Sequence, residues 1–331
     1  MSQKELLRVE HLKKYFQTPR GTLSAVEDVS FRIEERQTLG VVGESGCGKS
    51  TLGRCILRLH EPTGGKVIFN GENILEYDKV RLKRLRSDMQ IIFQDPYASL
   101  NPRMTVSQAI AAPLLIQGVY TAKEKDKIQK KVLEMMDVVG LARRLINSYP
   151  HELDGGRRQR IGIARALALN PKFIVCDEPV SALDVSIQAQ VLNLLMRLKE
   201  ELKLTYIFIT HNLSVVEYIS DRIAVMYLGR IVELASTEQI FENTMHPYTE
   251  ALLSAIPVVD PDNKRSRIVL EGDVPNPVHP PEGCHFHPRC KNCMDICMHK
   301  KPELKRHMIN GEEHFCACHL YDQTPAGGSD D

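Results

Sequence analysis

The sequence predicts an α/β fold organised around a phosphate-binding loop. Short apolar runs with the character of buried strands alternate with segments of helical periodicity. One such run, Thr38–Val42, leads directly into the pattern Gly-x-x-x-x-Gly-Lys-Ser at Gly43–Ser50, and a helix is predicted from Thr51. Between Ser99 and Leu153 apolar residues recur at helical spacing without a strand signal, which predicts a helical insertion of about 50 residues.

Composition narrows the class of protein. A chain of 331 residues predicts roughly two domains. Because 43 Lys and Arg residues balance 42 Asp and Glu residues, net charge gives no argument for nucleic-acid binding. No apolar run reaches the length of about 18 residues that a membrane span needs. The N-terminus lacks an apolar signal core, so we expect the chain to stay in the cytosol.

The segment Leu7–Ser30 alternates apolar and polar residues around turns, which predicts an antiparallel sheet of short strands. Tyr15 and Phe16 fall near its first turn, where an aromatic ring could stack on a purine base. We favour Phe16 over Tyr15 for this contact. The alternative is that both are ordinary strand aromatics.

The loop Gly43–Ser50 has the composition of an anion site. Glycines allow the backbone N–H groups to turn inward, and the N-terminus of the following helix adds to their effect. Lys49 reaches the β- and γ-phosphates of a nucleotide, and the Ser50 hydroxyl is placed to hold Mg²⁺. The alternative is a glycine-rich turn that binds nothing. The predicted nucleotide contacts are Gly43, Glu44, Ser45, Gly46, Cys47, Gly48, Lys49, Ser50 and Thr51.

Three further apolar runs end in polar residues, at the strand end where α/β folds place their ligands. Gln94 follows the first run, and we expect it to contact Mg²⁺ or water. Asp177 and Glu178 follow the second, where Asp177 suits Mg²⁺ through water and Glu178 suits a general base. His211 follows the third and is predicted to contact the γ-phosphate. Each of these residues could instead cap a turn or serve the core.

A second candidate anion site lies at the end of the helical insertion. Gly155 and Gly156 expose backbone N–H groups before a helix predicted over Ile161–Leu169, and Asp154 precedes them.

Together these motifs resemble the nucleotide-binding subunits of ABC transporters over roughly Leu7–Ser254. The matching segments are Gly43–Ser50 for Walker A, Gln94 for the Q-loop, Leu153–Arg157 for the signature, Phe173–Asp177 for Walker B, Ser181–Asp184 for the D-loop and His211 for the switch histidine. The resemblance implies a RecA-like core, an antiparallel β-subdomain and the helical insertion. It also implies two subunits that sandwich two ATP molecules, each between one Walker A loop and the other signature.

The chain also resembles, more narrowly, the ATPases of oligopeptide/dipeptide importers, most of all the F-type ATPase. The segments concerned are Asn101–Arg103, Asp177–Asp184, His246–Leu253, Gly272–Pro277 and Gly283–Cys290. The resemblance implies import of short peptides, with a second, non-identical ATPase and two transmembrane permease subunits as partners. It implies an indirect link to an extracytoplasmic peptide-binding protein, a location at the cytoplasmic face of the membrane and no nucleic-acid partner.

Two other functions stay open at this point. Nickel importers share much of the pattern. A soluble ABC ATPase is disfavoured, because the chain has neither tandem ATPase domains nor a long coiled-coil insertion.

The predicted domains are the ATPase core (1–98 and 154–254), the helical subdomain (99–153) and a small irregular Cys-rich C-terminal domain (255–331).

Six of the nine cysteines lie between Cys284 and Cys318, where little regular structure is predicted. Thiolates at short spacings in a reducing compartment suit zinc or an iron–sulfur cluster. The importer resemblance implies a [4Fe–4S] cluster on Cys284, Cys290, Cys297 and Cys318, with Cys316 as the competing fourth ligand. Zn²⁺ and free or disulfide-linked thiols are the alternatives.

The signature departs from the family pattern at two positions, because Asp154 replaces Ser and Arg157 replaces Gln. A carboxylate about 4 Å from a phosphate costs about 4 kcal/mol at an effective dielectric of about 20. That exceeds the roughly 1–3 kcal/mol of a lost hydrogen bond. We therefore predict a heterodimer with unequal ATP sites, the slower one closed by this signature. The alternative is that Asp154 acts as a helix cap.

Overall fold

Strands and helices alternate through most of the chain in this computed structural model, which describes residues 4–256 and 268–322. Its strands are β1 (Glu5–Thr18), β2 (Gly21–Glu34), β3 (Thr38–Val42), β4 (Gly64–Phe69), β5 (Glu72–Asn73), β6 (Met89–Ile92), β7 (Phe173–Asp177), β8 (Thr205–Ile209), β9 (Arg222–Tyr227), β10 (Arg230–Ser236), β11 (Lys305–Ile309) and β12 (Glu312–Cys316). Its α-helices are α1 (Lys49–Ile56), α2 (Lys79–Asp88), α3 (Pro96–Ser99), α4 (Val106–Gln117), α5 (Lys125–Val138), α6 (Gly155–Leu167), α7 (Val185–Leu202), α8 (Leu213–Ile219), α9 (Thr237–Glu242), α10 (Pro247–Ser254) and α11 (Asp295–His299).

The described residues divide into two units. The first unit contains residues 4–7, 33–37 and 68–209. The second unit contains residues 8–32, 38–67, 210–256 and 268–322. The domain boundaries expected from the sequence stay predictions.

The first unit is built on the parallel strands β6, β7 and β8. Met89–Ile92 pairs with Phe173–Cys176, and Phe173–Asp177 pairs with Thr205–Ile209. The residues of β7 and β8 are buried throughout, as expected of strands covered on both faces. Because the strands are parallel, their carboxyl ends meet at one edge of the sheet.

The helical insertion lies in the same unit. Helices α4, α5 and α6 pack against one another through buried apolar side chains such as Ile110, Met136 and Ile161. A capping box at Thr105 starts α4, and Gly118 in a left-handed conformation ends it. The helical character predicted for Ser99–Leu153 is therefore confirmed.

The second unit contains a mixed sheet in the order β11-β12-β10-β9-β3. Leu39–Val42 runs parallel to Arg222–Val225, and β9 and β10 pair in antiparallel fashion around the turn at Gly229. The strand β3 is fully buried and leads directly into the phosphate loop, as the sequence predicted.

The N-terminal strands are longer than expected. Instead of several short strands, β1 and β2 have 14 residues each and lie side by side, with β4 next to β1. The two turn residues between them are Pro19 and Arg20, and Gly21 follows with φ 124°. A single tight turn therefore replaces the repeated turns expected from the sequence.

The cysteine-rich segment contains more regular structure than predicted. Strands β11 and β12 form an antiparallel hairpin, and β12 pairs with β10 through Glu233↔Cys316 and Leu234↔Phe315. The hairpin therefore continues a sheet of the second unit. Residues 257–267 and 323–331 of the predicted C-terminal domain lie outside the described residues.

No helix among residues 4–256 and 268–322 is both long and apolar enough to cross a membrane.

Candidate nucleotide site

The phosphate loop needs glycine at both ends of its motif. Gly43 has φ 152°, and a Cβ there would lie 2.1 Å from the Met226 carbonyl oxygen. Gly48 has φ 101°, and a Cβ there would lie 2.0 Å from the Ala25 carbonyl oxygen. Gly46 also has a positive φ of 78°, but open space surrounds it. Neighbouring backbone thus fixes the ends of the loop, while its middle faces open space.

Lys49 lies folded over the loop that precedes it. Its ammonium group donates to the carbonyl oxygens of Gly43 (2.8 Å) and Glu44 (2.9 Å) and lies 3.7 Å from Cys47 Sγ. The side chain is 5 % exposed, so these acceptors take the place of water around the ammonium group. Burial raises the pKa of the Cys47 thiol, which keeps that thiol protonated beside the lysine. The predicted phosphate-binding lysine is therefore at the loop.

Helix α1 begins at Lys49, so Ser50 and Thr51 lie in its first turn. The helix has no side-chain cap at Gly48 and no acidic residue in its first turn. Its backbone N–H groups and the positive end of its dipole suit a phosphate group. This supports the anion site predicted for Gly43–Thr51.

Backbone bonds from outside the motif hold the loop. The Gly229 N–H donates to the Cys47 carbonyl (2.9 Å), and the Glu27 N–H donates to the Gly229 carbonyl (2.8 Å). The Glu44 N–H donates to the Tyr248 hydroxyl oxygen (2.9 Å). The β9–β10 turn, β2 and α10 thereby support the same few loop residues.

The sequence did not predict a role for Arg289, yet it contacts the phosphate loop. Its guanidinium donates to both Glu44 oxygens, from Nη1 to Oε2 at 2.8 Å and from Nη2 to Oε1 at 3.1 Å. The arginine side chain is only 7 % exposed. No spacing rule links residues 245 positions apart; the only sequence signal was an arginine between Pro288 and Cys290.

Phe16 and His211 also belong to the second unit. The Phe16 ring makes an edge-to-face contact with His60, with ring centroids 5.7 Å apart, and the Lys14 ammonium lies 4.7 Å from its centroid. His211 is exposed, two residues after β8 ends. The purine contact of Phe16 and the phosphate contact of His211 stay predictions.

Gln94 and Glu178 come together in the first unit. The Gln94 amide nitrogen donates to Glu178 Oε2 at 2.9 Å. Their side chains meet because Gln94 follows β6 and Glu178 follows β7, which are paired in parallel. Asp177, the last residue of β7, is 1 % exposed.

Glu178 has a backbone conformation that is uncommon for residues other than glycine. Its φ is 47°, its N–H donates to the Ile209 carbonyl (2.9 Å), and its carbonyl accepts from the Ser181 hydroxyl (3.1 Å). Such strain costs on the order of 1–3 kcal/mol and persists where the surroundings determine the conformation. The effect here is to hold the carboxylate at the sheet edge next to Gln94.

Helix α6 begins at Gly155, six residues earlier than predicted, and Asp154 is its N-cap. Asp154 Oδ1 accepts from the Arg157 N–H (2.7 Å), and Oδ2 lies 3.4 Å from Arg157 Nε. A Cβ on Gly156 would lie 2.7 Å from Ile187 Cγ2, so a larger residue there would press against α7. Asp154 therefore has the alternative role of a helix cap, and Arg157 offsets part of the charge of its carboxylate.

The predicted site residues thus form two groups. The first unit holds Gln94, Asp154, Gly155, Gly156, Asp177 and Glu178. The second unit holds Phe16, the loop Gly43–Thr51 and His211.

The cysteines predicted as cluster ligands are neighbours. Burial, together with the neighbouring Cys284, Cys290 and Cys297, raises the pKa of the Cys318 thiol to about 12. Burial also raises the pKa of Cys284 to about 11, and Cys297 and Cys290 add to it. However, the part of the chain that the structure describes contains no group of three or more His, Cys, Asp or Glu side chains arranged to hold a metal ion. The predicted [4Fe–4S] cluster therefore has no support from this geometry.

Two family models match the chain. Residues 26–181 match the model described as ABC transporter. Residues 232–297 match the model described as Oligopeptide/dipeptide transporter, C-terminal region.

Similar proteins match nearly end to end. The oligopeptide transport ATP-binding protein AppF of Bacillus subtilis is 49 % identical over 97 % of this chain and 98 % of its own. The dipeptide transport ATP-binding protein DppF of Haemophilus influenzae is 50 % identical over 91 % of this chain and 93 % of its own.

Solved structures match as well. The ATP-binding cassette MJ0796, as a dimer in a post-hydrolysis state bound to ADP and phosphate, has a TM-score of 0.63 and 29 % identity. That match covers 70 % of this chain and 98 % of the cassette. CbiO1 from Clostridium perfringens, part of an ABC transporter complex, has a TM-score of 0.63 and 28 % identity, over 73 % of this chain and 92 % of its own.

Proposed function

Because this chain belongs to the ATP-binding subunits of ABC transporters, within the oligopeptide/dipeptide group, we propose that it hydrolyses ATP to drive import of short peptides across the cytoplasmic membrane. The observation that carries the proposal is the loop Gly43–Ser50. Neighbouring backbone leaves no room for a side chain at its two terminal glycines, and its lysine lies over it.

Substrate binding follows from the chemistry of the loop. The N–H groups at the start of α1 and the Lys49 ammonium bind the phosphates of ATP, with Lys49 exchanging its carbonyl acceptors for phosphate oxygens. The Ser50 hydroxyl, the Gln94 amide oxygen and the Asp177 carboxylate are hard oxygen donors of the kind that Mg²⁺ prefers. When bound, Mg²⁺ supplies positive charge to the phosphates. Phe16 stacks on the adenine.

Hydrolysis needs a positioned base. We assign this role to Glu178, whose carboxylate polarises the attacking water, and Gln94 orients that carboxylate through their hydrogen bond. His211 and Lys49 stabilise the charge that develops on the transferred phosphoryl group. The strained backbone at Glu178 supports the assignment, because strain of this kind clusters at active sites.

Membrane permease subunits are the partners expected of an ABC transporter ATPase. We infer in addition a second, non-identical ATPase that closes the site at Lys49 with its own signature, and a position at the cytoplasmic face of the membrane. Peptides are favoured over nickel because AppF and DppF are named for oligopeptide and dipeptide transport.

A [4Fe–4S] cluster on Cys284, Cys290, Cys297 and Cys318 stays a proposal. It rests on the spacing of these cysteines, which resembles that of the importer ATPases. Thiolates suit iron–sulfur clusters and Zn²⁺ alike. Iron and sulfide content of anaerobically purified protein tests it; one zinc and no sulfide would overturn it.

The test of the catalytic assignment is Glu178→Gln. The amide keeps the size of the side chain but cannot accept a proton, so ATP hydrolysis should fall about 100- to 10,000-fold while ATP binding persists. Glu201→Gln, on the exposed side of α7 with a side chain 56 % exposed, is the matched control and should hydrolyse ATP normally. Normal hydrolysis by Glu178→Gln would remove Glu178 from the role of base.

The substrate needs a separate measurement. In cells whose chromosomal copy is replaced by Glu178→Gln, uptake of a labelled dipeptide should be lost, and the native gene should restore it. Unchanged dipeptide uptake with lost nickel uptake would reverse the assignment in favour of the nickel alternative.

A further inference from the structure

The phosphate loop contains an acidic residue at a place built for anions. Glu44 directly follows Gly43, and both its carboxylate oxygens lie within hydrogen-bond distance of Arg289. An uncompensated carboxylate would repel the phosphates that the loop binds. Arg289 removes that conflict, because a guanidinium pairs both carboxylate oxygens at once and stays charged at every physiological pH.

The ion pair is enclosed rather than exposed. The Arg289 side chain is 7 % exposed, and the Glu44 side chain is 26 % exposed. The hydrogen bond with Glu44 raises the pKa of Arg289 further above its ordinary value. Water and salt therefore screen this pair less than a surface pair.

Aromatic residues fix the arginine and the loop to the same cluster. The rings of Tyr227, Tyr248 and Phe286 lie with centroids 4.8–5.4 Å apart. Phe286 is three residues before Arg289, and the Tyr248 hydroxyl accepts the Glu44 N–H. Arg289 Nη1 also donates to the Tyr227 hydroxyl oxygen at 3.5 Å. The groups that hold the backbone and the side chain of Glu44 therefore both contact this aromatic cluster.

A second contact joins the segment 284–301 to strand β2. Lys301 donates to Glu27 Oε1 at 2.9 Å, and this hydrogen bond contributes to a lowered pKa of the Glu27 carboxyl against the effect of burial. Ala25, two residues before Glu27, has the carbonyl oxygen that closes against Gly48. The segment 284–301 thus contacts the loop at Glu44 and contacts β2, the strand whose Ala25 carbonyl lies against Gly48.

We propose that Arg289 is a positioning residue for nucleotide binding: it neutralises Glu44 and holds the phosphate loop, so that the segment 284–301 and the nucleotide stabilise each other. This inference rests on the proposed ATP binding at Gly43–Ser50. Coupling of this kind is reciprocal, because whatever the segment adds to nucleotide affinity the nucleotide adds to the stability of the segment.

Nucleotide affinity of the full-length protein tests the charge argument. Arg289→Gln should raise the Kd for Mg-ATP about tenfold, a typical coupling between two sites. Adding Glu44→Gln to that variant should restore the affinity, because no unpaired carboxylate is left. The control is Lys291→Gln, two residues further along, whose exposed side chain pairs with Glu250 (3.5 Å) and not with Glu44. This variant should bind as the native protein does.

Two results would overturn the inference. One is an unchanged Kd for Arg289→Gln; the other is a double variant as weak as Arg289→Gln, because that result assigns the loss to packing and not to charge. If Arg289→Gln does not fold, the Kd for Mg-ATP is compared between Glu44→Gln and the double variant. Both lack the carboxylate that Arg289 neutralises, so a large difference between their Kd values contradicts the charge argument. Failure of the native protein to bind Mg-ATP would instead refute the proposed function.

Amide hydrogen exchange tests the reciprocal effect. In the native protein, Mg-ATP should slow exchange in residues 284–301, where the Arg289 N–H donates to Phe286 and the Cys290 N–H donates to His287. In the double variant Glu44→Gln/Arg289→Gln this protection should shrink, even though ATP still binds. Equal exchange with and without Mg-ATP in the native protein would contradict the coupling.

Discussion

Individual residues determine whether this chain can bind phosphate. Gly43 and Gly48 combine a left-handed backbone with a neighbouring carbonyl at a distance that excludes a side chain. Glu178 also has a positive φ, 47°, without being glycine, and it is the residue proposed as the base. The local backbone therefore selects glycine at the loop ends and accepts strain at the candidate base.

Replacing Gly48 by alanine tests whether the end of the phosphate loop requires glycine. Left-handed backbone costs a residue other than glycine roughly 1–2 kcal/mol, and the contact of 2.0 Å with Ala25 forces a further shift of the loop. We expect Gly48→Ala to lose Mg-ATP binding and to lower the free energy of unfolding. Titration calorimetry and urea denaturation measure the two quantities.

Two other glycines serve as controls for that variant. Gly46→Ala carries a positive φ without a close neighbour, so it should show the cost of strain alone. Gly162→Ala, inside α6 with no atom within 4 Å of its Cβ, should raise the free energy of unfolding by about 0.5–1 kcal/mol and leave binding unchanged. A fully functional Gly48→Ala would show that the loop adapts to a side chain.

At the scale of elements, caps and buried strands explain the local structure. Helix α10 begins at Pro247 with His246 as its N-cap, whose Nδ1 accepts from the Tyr248 N–H (3.1 Å). Burial lowers the pKa of His246 to about 4, although the nearby Glu233 acts in the opposite direction. The cap works only while the imidazole is neutral.

This helix cap predicts a pH dependence of stability. In the unfolded chain His246 titrates near 6.5, and in the folded chain near 4, so the unfolded state binds more protons between these values. The stabilisation that depends on neutral His246 is fully present above pH 6.5. It is lost as the pH falls toward 4, and the free energy of unfolding falls by about 3 kcal/mol in total. Denaturation of His246→Asn, which keeps a capping acceptor, should show a shallower loss over this range.

The control for the pH series is His299→Asn. That side chain is exposed, so its replacement should leave the slope of stability against pH as it is in the native protein. Equal slopes for the native protein and His246→Asn would show that protonation of this histidine does not oppose folding.

Elements with a strong local signal were predictable. The helical insertion predicted for Ser99–Leu153 contains α4 and α5, and the Gln94, Asp177 and Glu178 positions follow from apolar strands that end in polar residues. The hairpin of β11 and β12 was missed, although Asn310-Gly311 is a strong hairpin signal; both residues have positive φ, 52° and 82°. The pairing of Glu44 with Arg289 was not predictable, because only the tertiary fold brings them together.

For the whole molecule, the departures in the signature matter most. Asp154 caps α6 and lies near Arg157, but both side chains are about half exposed, so their attraction is weak. A phosphate approaching this helix start therefore still meets a carboxylate. In the proposed pair with a second, non-identical ATPase, the site that this signature closes should be the slower of two.

Turnover by the assembled transporter tests this inequality. Glu178→Gln should abolish most of its ATP hydrolysis, whereas the same replacement of the partner's catalytic glutamate should remove only a small part. Asp154→Ser with Arg157→Gln should bring the two sites closer together, since serine keeps the cap. Equal turnover at the two sites of the native transporter would contradict the role assigned to Asp154.

The hairpin of β11 and β12 has one more consequence, for solubility. By pairing with β10, it covers a strand whose free N–H and C=O groups could recruit a strand from another molecule. The new outer strand, β11, has only five residues and begins with Lys305 and Arg306. Short, positively charged edge strands are poor templates for aggregation. The C-terminal segment thus leaves the sheet with an edge that resists intermolecular pairing while the subunit awaits assembly.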